Sequence, residues 1–142
     1  MLSDRALGFL EGLAAASSTV YQEGGLLFTF KFAYQQAHRR LKESSESASF
    51  TLNASRLGLS HKAIEELGRF FQGSLGEYTK EKPSRNALAV ANALIEHLQH
   101  DLQFQFAALQ VEDEDYGMKV QIEMIQQVKN NLYCLELWWS VD

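Results

Sequence analysis

Glu96, His97, His100 and Asp101 form the densest group of metal-capable side chains in the sequence. On a helix Glu96 and His100 stand at i, i+4, as do His97 and Asp101, so each pair projects from one face. Transition metals accept such imidazole and carboxylate pairs, but a closed site needs three or four ligands. The Glu-x-x-His spacing that di-iron bundles repeat on two helices is absent. The group therefore reads as a solvated polar face, and neither a metal nor another cofactor is expected. Cys134 is the sole cysteine. It excludes an intramolecular disulfide, fits a reducing compartment, and reads as a small buried hydrophobe rather than a nucleophile. The chain contains no Gly-x-Gly-x-x-Gly, P-loop, Gly-x-Ser-x-Gly or His-Glu-x-x-His motif.

Arg56 and His61 stand in an Arg-x4-His spacing. That pair resembles the motif of ribonucleases in the HEPN class of helical bundles. The resemblance implies an arginine and a histidine facing each other across a dimer and working on the RNA phosphate. Leu57 departs from the family's usual small polar residue, and the segment straddles Gly58 and a helix cap at Ser60. Lys31, His38, Arg39, Arg40 and Lys42 are the basic cluster of the chain. They lack interleaved stacking aromatics beyond Tyr34, which argues against a nucleic-acid partner.

The C-terminal LYCLELWWSVD carries the clearest functional signal. Read as a helix, Tyr133, Leu135, Leu137, Trp138 and Trp139 cannot share one side, because successive residues step by roughly 100°. Large apolar surface would then face away from the core, and aromatics are enriched where proteins meet. Tyr133, Leu137, Trp138 and Trp139 are the expected interface residues, in contact with another protein or with a second copy in a homodimer.

The elements that must position these residues follow from composition and spacing. The chain has 142 residues, of which 46% are hydrophobic and 22% charged, a balance that buries a core and excludes wholesale disorder. A net charge of −5 argues against a large phosphate footprint. No stretch approaches the ~18 consecutive apolar residues of a membrane span. Asp4 and Glu11 interrupt what would otherwise resemble a signal peptide, so residues 3–22 read as a helix and the protein as cytoplasmic.

One proline and nine glycines leave few breaks, which favours long helices. Leu88, Ile95, Leu102 and Leu109 recur every seven residues, with Ala91 and Leu98 between them. Gln105 interrupts the intermediate row, flanked by Phe104 and Phe106. Met118, Ile125, Leu132 and Trp139 recur likewise, with Val128 and Leu135 between them. The spacing predicts two packed helices, 84–111 and 114–139, turning at EDEDYG. Ser60 and Ser84 are natural caps for helices that follow them. Residues 26–41 read as a helix through Leu27, Phe30, Tyr34, Ala37 and Leu41, whose pattern runs longer and ends in good helix formers, with a strand through Leu26, Phe28, Phe30, Phe32 and Tyr34 as the alternative.

The expected architecture is a single all-α domain over 1–142, a bundle of about five helices with a long antiparallel C-terminal hairpin. The alternative is α+β, with strands near 26–34 and 50–54. The expected function is a non-enzymatic interaction or regulatory protein of the adaptor type, working through helix surfaces as a homodimer. The alternative is a small helical enzyme, either a HEPN-like ribonuclease or a metal-dependent hydrolase.

Overall fold

From Met118 to Met124 apolar and polar residues alternate without a fault, and this run is a strand. A computed structural model describes residues 2–18, 26–36, 48–53, 61–76, 82–126 and 129–141. It has helix α1 (Asp4–Ser18), strands β1 (Leu26–Gln36) and β2 (Ala48–Asn53), and helices α2 (His61–Ser74) and α3 (Arg85–Leu102). Strands β3 (Phe106–Glu114), β4 (Gly117–Gln126) and β5 (Asn131–Val141) complete it. The five strands form one antiparallel sheet in the order β1-β5-β4-β3-β2.

This is an α+β fold, and it corrects the all-α bundle expected from the seven-residue spacing. The second arm of the expected hairpin, 114–139, is two strands. Met118 and Trp139 of its apolar row face the helices, while Ile125 and Leu132 lie on the opposite face of the sheet. Period two accounts for burial where period seven does not: Met118, Val120, Ile122 and Met124 are buried, as are Tyr133, Leu135, Leu137 and Trp139. The first arm is helical only to Leu102. Ser84 caps it as expected, its hydroxyl accepting the Ala87 amide at 3.2 Å. Gln103 then adopts a left-handed conformation at φ 47° and ends the helix, with its amide bonding the Gln99 carbonyl. The expected turn at EDEDYG is in place, but Asp115 and Tyr116 join two strands across the Glu114–Gly117 pair. The helix expected from residue 26 is instead strand β1, and the alternative strands near 26–34 and 50–54 are present as β1 and β2.

The three helices cover one face of the sheet. Helix α1 meets β1, α2 meets β2, β3 and β4, and α3 packs against both other helices. Ile64, Leu67, Phe70 and Phe71 of α2 interlock with Leu94, Leu98 and Leu102 of α3 and with the inner residues of the strands. Two glycines of α2 permit the contact. A Cβ at Gly68 would press on Leu88 and Pro83, and one at Gly73 would overlap the Trp139 indole. The apolar edge of that indole therefore lies directly on the helix backbone.

Two polar clamps fix the elements, one between helix layer and sheet and one within the helix layer. Arg69 on α2 grips both carboxylate oxygens of Asp113 on β3, at 2.8 and 3.2 Å, and Glu66 at 2.8 Å. Burial alone would lower the basicity of Arg69, but its bonds to Asp113 and Glu66 outweigh that and raise it. At the other end of the helix layer the Ser3 amide and hydroxyl donate to Asp101 at 2.9 and 2.8 Å, fixing the start of α1 to the end of α3. Among the described residues, no helix is long and apolar enough to cross a membrane.

Candidate functional site

Among the described residues all three helices lie on one side of the sheet, and the candidate site is on its other face. Its residues are set by register. Thr29, Trp138, Lys119 and Glu112 form one row across β1, β5, β4 and β3, and Lys31, Glu136, Gln121 and Gln110 form the next. Towards the far end the rows turn apolar, with Leu132, Ile125 and Phe106 aligned and Leu132 buried. Glu123 sits at the centre of this face yet is 9% exposed, flanked by Cys134 and Ala108.

Trp138 is the aromatic anchor of the polar rows. Its indole N–H donates to Glu114 at 3.1 Å, which holds the ring in one orientation. Lys119 Nζ lies 3.4 Å from Glu136 Oε1, both about one-third exposed. Thr29, Glu114, Lys119, Glu136 and Trp138 together line an open cleft of about 200 Å³. A smaller depression of about 40 Å³, lined by Gln110, Glu112, Lys119 and Gln121, adjoins it. The cleft offers an aromatic face, two carboxylates and one ammonium, so it can pack an apolar stem while pairing with a polar or charged tip.

The four expected interface residues divide by face. Tyr133, Leu137 and Trp139 point toward the helices and are 8%, 0% and 3% exposed, so they contribute to the core. Trp138 alone lies on the opposite side. The argument that they could not share one side assumed a helical step of about 100°. On a strand the step is about 180°, and three of the four do share a side.

Of the candidate catalytic and metal-binding side chains, the histidines lie among the described residues and stand apart. His61 caps no site: its side chain is 85% exposed and bonds Glu65 one turn on, at 2.9 Å. Arg56 and the basic residues 38–40 and 42 lie outside the described residues, and Lys31 is exposed on the outer face. His97 packs against the Phe9 ring at 4.9 Å, while His100 pairs with Asp101 at 3.3 Å. Among the described residues, no three histidine, cysteine or carboxylate side chains converge on a metal position. Cys134 lies on the outer face of β5, where Gln121 donates to its sulfur at 3.3 Å. Burial, reinforced by Glu123 and Glu136, pushes its thiol up despite that bond, so the reactive thiolate is disfavoured.

Sequence reasoning overlooked Thr29, Glu114, Lys119 and Glu136. The alternation Met-Lys-Val-Gln-Ile-Glu-Met from residue 118 was the available signal, because it places Lys119 and Gln121 on one polar face. Comparison with known protein families and with curated proteins finds no match to this chain.

Proposed function

We propose that this is a non-enzymatic interaction or regulatory protein that docks a protein partner on the face of its sheet opposite the described helices, in the cytoplasm. The observation that carries the reading is Trp138, half-buried among the polar rows of this face and held by Glu114 at the wall of a cleft. Tryptophan is a frequent hot spot because it brings large apolar area at little entropic cost, and one fixed in place loses still less on binding. At about 200 Å³ the cleft is smaller than the roughly 300–1,000 Å³ pockets that enclose free small molecules, and it suits one protruding side chain of a protein. Among the described residues of this face, two cations, Lys31 and Lys119, stand against four carboxylates, Glu112, Glu114, Glu123 and Glu136, a balance that disfavours a phosphate backbone there. The lone cysteine is consistent with a reducing compartment.

The test is affinity capture from source-cell extract with wild type, Trp138→Ala, and a control, Asn86→Ala, on the exposed side of α3. Truncating an interface tryptophan typically costs at least ~2 kcal/mol, about thirtyfold in affinity. Proteins retained by wild type and the control should be lost from Trp138→Ala while its circular dichroism is unchanged. Retention of the same proteins by Trp138→Ala would contradict the reading. So would RNA hydrolysis by the purified protein that His61→Ala abolishes.

A further inference from the structure

The two edges of the sheet differ. Strand β2 is six residues long, whereas β1 is eleven and pairs with β5 in unbroken register from Leu26–Val141 to Gln36–Asn131. Among the described residues no strand lies beyond β1. An open edge of that length presents a row of backbone donors and acceptors, which proteins usually blunt with prolines, bulges or several charges. Strand β1 has no proline, no bulge and one charged residue, Lys31.

Its exposure is graded along its length. Leu26 and Phe28 are buried beneath the helices, with the Phe28 ring edge-on to Phe70. Phe30 and Phe32 are half-buried and Tyr34 is 57% exposed. Tyr34 and Phe32 nevertheless make contacts within the sheet. Tyr34 donates to Asn131 at 3.0 Å, and Phe32 and Tyr34 pack on Tyr133 with ring centroids 5.9 and 5.3 Å apart. An aromatic row thus runs across β5 and β1 and stops at the open edge.

We propose that two copies of the chain pair antiparallel through the C-terminal half of β1, about a two-fold axis at Ala33, joining their sheets into one of ten strands. Directly opposed residues in an antiparallel pair share a face, so the axis must set one residue against itself. An axis at Lys31, the midpoint of β1, would oppose two lysines. An axis at Ala33 opposes two small side chains, sets Phe32 against the partner copy's Tyr34, and places Lys31 opposite Gln35. The aromatic row then continues across the seam. A second copy fits better than a foreign strand because one isologous contact covers residues 30–36 of both long edges at once. Thr29 borders the Trp138 cleft, so the two clefts would flank the seam, their β5 strands three spacings or roughly 14 Å apart. This pairing stands independently of the partner proposed for that cleft.

The experiment combines sedimentation velocity with a cysteine scan. Leu27, Thr29, Lys31 and Ala33, all exposed on the outer face, are replaced singly by cysteine in a Cys134→Ser background. Wild type should sediment at the mass of two chains at tens of micromolar. Disulfide-linked dimer should form fastest at Ala33→Cys, more slowly at Lys31→Cys, and at background level at Leu27→Cys. Ala33→Lys, which keeps an exposed side chain and adds a like charge on the axis, should weaken association at least tenfold with circular dichroism unchanged. A monomer throughout that concentration range overturns the proposal. So does a dimer that Ala33→Lys leaves intact, or one that none of the four cysteines traps.

Discussion

Replacing Gly73 with alanine sets two effects of opposite sign against each other. Glycine in a helix is about 1 kcal/mol worse than alanine, so by propensity alone the change should stabilise α2. The structure opposes this. The new methyl would overlap Cζ2 of Trp139 and lie 3.0 and 3.1 Å from Cε2 and Cη2. That indole is 3% exposed, and both the ring and the α2 backbone are held by a buried core, so neither yields freely. Overpacking of this kind costs about 1–3 kcal/mol. Near the end of the helix the propensity gain is partial, so the net result is a loss of about 1–2 kcal/mol. Urea unfolding followed by circular dichroism measures it, with Gly12→Ala as the matched control. A Cβ at Gly12 meets nothing within 4 Å, and the residue is exposed on α1, so this change should stabilise by up to about 1 kcal/mol. If both variants stabilise, Trp139 does not rest on α2 and the packing of sheet on helices described above is wrong.

Leu98 is fully buried, so Leu98→Ala should cost about 2–5 kcal/mol in the same assay; a shift within error would place α3 outside the core. Partial burial would raise the Asp101 carboxyl, but its bonds from Ser3 and His100 prevail and hold it below the ordinary value of 3.8. Its contribution is therefore present above about pH 4 and disappears as the pH falls through the depressed value. Asp101→Asn should be less stable than wild type at pH 7, and the gap should close in stronger acid; a gap that stays constant with pH would show that the Ser3 clamp does not form.

The helical part of the fold was legible where local signals agreed. Ser84 followed by Leu88, Ala91, Ile95 and Leu98 reads as a capped amphipathic helix, and it is one. The failure began at Leu102, where Phe104, Gln105 and Phe106 mark a change from period 3.6 to period two. Leu109 continued the seven-residue count by coincidence, since it is an inner residue of β3. Beyond it, Met118 to Met124 alternate, and Asn130 takes the left-handed turn conformation at φ 51° that asparagine tolerates. Both signals favour strands. The count of seven captured residues from both faces because seven is odd, so on a strand each step of the row crosses the sheet. In β1 the aromatics at even positions supported strand and helix alike, and tertiary pairing with β5 decided between them. The site was legible only in part. Trp138 stood out by type and Glu136 shares its face two residues earlier on β5, but Lys119 and Glu114 become its neighbours only through cross-strand register, which no local spacing encodes.

The central claim is that β5 is a strand with helices on one side and an open working face on the other, and adjacent tryptophans report on both sides at once. Hydroxyl-radical footprinting of the native protein, read by mass spectrometry at residues 138 and 139, is the direct test. Trp138 should be modified several-fold faster than Trp139, whose ring is 3% exposed beneath α2. Equal protection of the two rings, or faster modification of Trp139, would contradict the assignment of faces on which the proposed function rests.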